Sequence, residues 1–91
     1  MDNRAIVTVV GKDRVGIIAA LSSILAEANA NIVDISQTIL QEFFTMVMIA
    51  DLSGCTLDLA ELQDRLARKG EELGVKVTVQ HEKVFGYMHR V

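Results

Sequence analysis

The sequence predicts an α+β domain in the order β-α-β-β-α-β, with one four-stranded antiparallel sheet and two helices on a single face. Three observations carry this reading. Strand-like segments rich in β-branched or alternating apolar residues occur at 4–10, 32–40, 43–52 and 75–80. Two stretches with apolar residues at helical spacing lie between the first and second of these and between the third and fourth. Right-handed crossovers then set both helices on one side of the sheet and the strands in spatial order 4-1-3-2.

Residues 4–10 carry apolar groups on both faces, Ile6 and Val10 on one and Ala5, Val7 and Val9 on the other, which is the mark of a central strand. Gly11 is read as its end. A helix is expected over 15–28, where Ile17, Leu21, Ile24 and Ala28 form a stripe widened by Ile18 and Leu25. Asp13, just ahead of it, is placed to cap the free backbone N–H groups. Asn29, Ala30 and Asn31 end the helix, since asparagine tolerates left-handed geometry.

The second strand, 32–40, alternates: Val33, Ile35, Gln37 and Ile39 share one face, and Asp34, Ser36 and Thr38 the other. Gln41 and Glu42 form a tight turn into a third strand over 43–52, in which Met46, Val47, Met48 and Ile49 read as buried on both faces. Asp58 and Glu61 have the spacing of a capping box. They open a second helix whose buried stripe is Leu59, Leu62, Leu66 and Leu73, with Gly74 suited to its C-cap. Gly70 within that stripe costs about 1 kcal/mol against alanine and points to close packing. Val75, Val77 and Val79 alternate with Lys76, Thr78 and Gln80 as a fourth, edge-like strand. The architecture is a ferredoxin-like sandwich: one domain over 1–91, with a core at 4–81 and a tail at 82–91. The tail is expected to form one or two helical turns, its Val84, Phe85 and Met88 needing cover.

Composition excludes several functions. Hydrophobic residues make up 51% and aromatic ones only 4%, so a core of aliphatic and methionine side chains is expected. The net charge of −3, with both signs interspersed, does not suit nucleic acid. No apolar run is long enough to span a membrane, and the N-terminus lacks the pattern of a signal sequence. Cys55 is the one cysteine, so neither an internal disulfide nor a thiolate metal cage can form, and a reducing cytoplasm is expected. His81 and His89 lack the spacing of a helical metal pair. No cofactor or metal is expected.

The loop Gly11-Lys12-Asp13-Arg14-Val15-Gly16 is the informative segment. Its glycines permit close backbone approach, the helix N-terminus attracts a carboxylate, and Asp13 suits an ammonium group. Together these match a free amino acid. A turn with an ordinary cap uses the same residues. The two-glycine spacing evokes a nucleotide-binding loop, but Ile17 and Ile18 stand where lysine and serine or threonine are required.

Residues 11–18 and the stretch Ala26-Glu27-Ala28-Asn29-Ala30-Asn31-Ile32 resemble the ACT domain, a regulatory amino-acid-binding module. With 34–38 and 43–46, the whole chain is similar to the small stand-alone ACT-domain proteins of bacteria and archaea. The resemblance implies a side-by-side dimer, its sheets joined into one of eight strands, with ligand sites at the interface. Gly11, Lys12, Asp13, Arg14, Val15 and Gly16 would then form one wall, Asp13 at the ligand-binding position, and Asn31 and Ile32 of the neighbouring chain the other. The family often has proline where Val15 stands, so the loop here is less preorganised.

Other functions on this fold fit less well. An acylphosphatase would use Arg14 and Asn31, but with a different loop spacing and a different strand. An RNA-binding sheet needs aromatic residues on its central strands, and the first strand has none. A metal chaperone needs a paired-cysteine loop, which is absent. The expected function is therefore non-enzymatic ligand sensing by a homodimer. An assembly module that binds an unknown protein partner and no ligand is the alternative.

Overall fold

The computed structural model describes residues 3–12 and 16–82. It contains β1 (Arg4–Lys12), α1 (Ile17–Glu27), β2 (Asn31–Leu40), β3 (Phe43–Asp51), α2 (Leu59–Leu73) and β4 (Lys76–His81). The strands lie in the order β2-β3-β1-β4, all neighbours antiparallel, as the crossover rule predicts. The expected tail falls outside the described residues from 83 onward.

The core lies between the sheet and the two helices. Ala5, Val7 and Val9 pair with Ala50, Met48 and Met46, and all six are fully buried. Leu21 and Leu25 of α1 and Leu62 and Leu66 of α2 close over them, each stabilising the fold by about 1.5–3 kcal/mol relative to exposure. Among the described residues no polar or charged side chain is buried.

The helix ends follow from local chemistry. Asp58 accepts the Glu61 backbone N–H at 2.8 Å, and Glu61 reaches back to the Asp58 N–H, the reciprocal capping box that the sequence predicts. Gly74, in the left-handed region, closes α2. After α1, Asn29 adopts φ +62° and donates from Nδ2 to the Gly54 carbonyl at 2.8 Å, tying this turn to the β3–α2 loop.

Three expectations are corrected. β1 does not stop at Gly11; it continues through Lys12, with Gly11 paired to Phe44. The helix starts at Ile17, with Gly16 as its N-cap residue, rather than at 15; the expected capping contact of Asp13 lies outside the described residues. Within β2 a bulge between Ile32 and Asp34 inserts Val33 as an extra residue. Val33 therefore leaves the alternation: Ile32 and Ile35 pack against the core, while Val33 is 54% exposed. In β3, Met46 and Met48 are buried as expected, whereas Val47 and Ile49 on the opposite face are only half-buried.

Candidate functional site

The β1–α1 connection is bounded by two glycines that differ physically. Gly11 sits in the sheet where the α2–β4 link crosses it; a Cβ there would lie 2.6 Å from Val75 Cγ1 and 3.2 Å from the Val75 Cα. It permits backbone contact and makes no turn. Gly16 has φ +89°, a conformation that other residues rarely adopt, and nothing lies within 4 Å of the position of a Cβ. It turns the chain into α1 while leaving space beside it.

Among the described residues no side chain caps this start of α1. The Gly16 carbonyl accepts the first helical bond from Ala20 N–H at 2.9 Å. The first-turn N–H groups have no intrahelical acceptor, and the partial positive charge of the helix end adds to them. Such an end accepts an anion. Asp13, Arg14 and Val15 lie outside the described residues, so the geometry available concerns Gly11, Lys12 and Gly16.

Lys12 is exposed and its Nζ lies 3.5 Å from Glu42 Oε2 in the β2–β3 turn. Sequence reasoning did not single out that partner. It also passed over the apolar tip beside it, where Ile39, Leu40 and Phe43 are each more than half exposed. The signal was present: Leu40 and Phe43 flank the two-residue turn, and hairpin ends are usually polar.

Asn31 and Ile32 are far from this loop within one chain. Asn31 pairs with Asp51, which pairs with Arg4, at the start of β1. Lys12 pairs with Phe43, which pairs with Leu40, at the opposite end of the sheet. The strand between them spans about 30 Å at ~3.3 Å per residue. The two halves of the expected site are thus not brought together in a single chain.

Titratable groups offer little chemistry here. Asp51 is held below the usual carboxylate range, chiefly because the Ser53 hydroxyl and then the Ser53 backbone N–H donate to it. Among the described residues no three His, Cys, Asp or Glu side chains are grouped to hold a metal ion. None of the described helices is long and apolar enough to cross a membrane.

The ACT domain profile matches residues 3–80. A UPF0237 protein of Methanocaldococcus jannaschii is 54% identical over 89 residues, covering 98% of this chain and 99% of the relative. One from Methanococcus maripaludis is 50% identical over 91 residues, covering both chains completely. Among solved structures, an ACT domain protein from Streptococcus pneumoniae superposes with a TM-score of 0.80 at 41% identity, covering 93% of this chain and 96% of that one. With the profile matched over most of the chain and relatives of the same length, the chain belongs to the ACT domain family, a family of regulatory ligand-binding domains.

Proposed function

We propose that this chain, acting as one domain over residues 1–91, is a homodimeric sensor that binds a free amino acid between two copies. The observation that carries the reading is the placement of its two half-sites at opposite ends of an exposed edge strand. β2 is ten residues long, and none of its residues is fully buried. An edge of that length calls for pairing or protection. Antiparallel pairing of two β2 strands about Ser36, with the bulge absorbed, sets Asn31 of the second copy opposite Leu40, level with Lys12 and Phe43. The same pairing covers the exposed Ile39 with Ile32 of the second copy.

In this arrangement the N-terminal turn of α1 receives the ligand carboxylate. Asp13 meets its ammonium group. Gly11, Arg14, Val15 and Gly16 contribute backbone, Lys12 the rim, and Asn31 and Ile32 of the second copy the opposite wall. The chemistry needed is recognition, with no bond made or broken. The free thiol of the half-buried Cys55 is compatible with a cytoplasmic setting.

Calorimetry against the twenty amino acids tests the reading. At least one should bind, Asp13→Ala should abolish the heat, and Asn31→Ala should weaken binding about tenfold, one hydrogen bond's worth. If no amino acid binds while the dimer persists, the chain is an assembly module instead.

A further inference from the structure

We propose that Asp34 gates the edge of the sheet: its carboxylate occupies the Ile35 N–H that a second copy of the chain must take to pair along β2. The gate rests on the dimer reading above and adds how that pairing is held in check. The β2–β3 hairpin fixes which way the β2 backbone groups point. Leu40 and Phe43 flank its two-residue turn, in which Gln41 has φ +57°, and such a turn is closed by a hydrogen-bonded pair. Bonded and non-bonded pairs then alternate, so Leu40, Thr38, Ser36 and Asp34 turn their N–H and C=O groups toward β3. Ile39, Gln37 and Ile35 turn theirs outward, because β2 is the outer strand of the sheet.

The side chains agree with this alternation. Ile35 N–H donates to Asp34 Oδ1 at 2.9 Å and so is not spent on Met48, its neighbour across the ladder. Asp34 is exposed, and it follows directly on the bulge that inserts Val33. Irregular backbone and a capped amide thus stand together on one edge, and bulges and charged side chains are the usual guards of such an edge. A carboxylate accepts more strongly than a backbone carbonyl. An incoming strand therefore gains little at Ile35 unless several other bonds form with it.

A second copy supplies those bonds in register. Pairing about Ser36 sets Ile35 opposite Gln37 of the second copy, and Gln37 opposite its Ile35. All four residues point outward, so each pair exchanges two backbone hydrogen bonds, with the two Ser36 residues between them as a non-bonded pair. Both Ile35 amides are used, and both Asp34 carboxylates must let go. The same register lays the Val33 end of each copy against the Ile39 end of the other. These two side chains are 54% and 56% exposed, so each copy covers an apolar end of its partner. That self-complementarity favours a second copy over an unrelated extended strand.

Sedimentation equilibrium of the full chain tests the gate. Asp34→Ala should tighten the dimer by about tenfold or more, because the competing acceptor is removed at both symmetric sites. Asp34→Asn keeps a side-chain acceptor without the charge and should fall between the native chain and the alanine variant. Circular dichroism should be unchanged in both, since Asp34 is exposed. In isotope-labelled dimer, a scalar coupling across the hydrogen bond should join the Ile35 nitrogen to the Gln37 carbonyl carbon, a bond that two residues of one strand cannot make with each other. An unchanged or weaker dimer in Asp34→Ala overturns the gate; if Ser36→Lys still dissociates the native dimer, the β2 interface stands without it. Equal tightening by alanine and asparagine that vanishes in high salt also overturns it, since charge repulsion is then the cause. A native dimer that Ser36→Lys leaves intact, or a chain that is monomeric with and without Asp34, overturns gate and interface together.

Discussion

Gly16 and Gly70 are both glycines for steric reasons, and the two reasons lead to different tests. At Gly16 the restriction is torsional: φ is +89° and the space beside it is open. Gly16→Ala should therefore cost about 1–2 kcal/mol through left-handed strain, seen as a lower urea midpoint with an unchanged slope. At Gly70 the restriction is contact. A Cβ would lie 2.6 Å from Val77 Cγ2 and 3.0 Å from the Val75 carbonyl oxygen. Helix propensity alone predicts that Gly70→Ala stabilises by about 1 kcal/mol. The overpacking opposes this by about 1–3 kcal/mol, so a net loss is expected; a rise in melting temperature would contradict the close approach. Asp51 supplies a pH test. Because Ser53 holds its carboxyl below the usual range, the folded state favours the charged form. Its contribution is present above the ordinary carboxylate pKa and fades as pH falls below it. Asp51→Asn should flatten the acid limb of the stability profile, lowering stability at neutral pH and leaving it nearly unchanged at low pH.

The two helices contrast in how they begin, and the difference separates scaffold from site. α2 has its capping box complete, with both reciprocal hydrogen bonds. Asp58→Ala should cost about 1 kcal/mol and leave ligand binding untouched, measurable by denaturation alongside calorimetry. α1 has no such cap among the described residues, and its hydrophobic stripe of Ile17, Leu21 and Leu25 holds it on the sheet. Its N-terminus is the element that the proposed ligand would complete. The bulge in β2 works at the same scale. By inserting Val33 it turns both Ile32 and Ile35 toward the core, which strict alternation across this stretch forbids.

At the scale of the molecule, the two sheet edges differ. β4 is six residues long and buries Val79, whereas β2 has ten residues and none fully buried. Pairing about Ser36 would place the two Ser36 residues opposite each other. Ser36→Lys should then set like charges in register and shift the chain from dimer to monomer by light scattering, with the fold retained. An unchanged dimer mass would show that the interface lies elsewhere.

Much of the architecture could be read from local order alone. The alternation of 75–80, the leucine spacing of α2, its capping residues and the left-handed Asn29 are short-range effects, decided within a few residues. Both edges of the site loop could be named in the same way, and so could Asn31. What neighbours in sequence cannot reveal is which distant backbone crosses a glycine or where a strand absorbs an extra residue. Gly11 reads as a turn until Val75 is found against it, and Val33 reads as a core position until the register with Ile49 and Ala50 removes it. The chain's own chemistry thus determined the α+β order, the helices and the residues of the loop. Only the tertiary structure decided that loop and Asn31 stand at opposite ends of the sheet, because strand pairing is a long-range contact that no local pattern encodes.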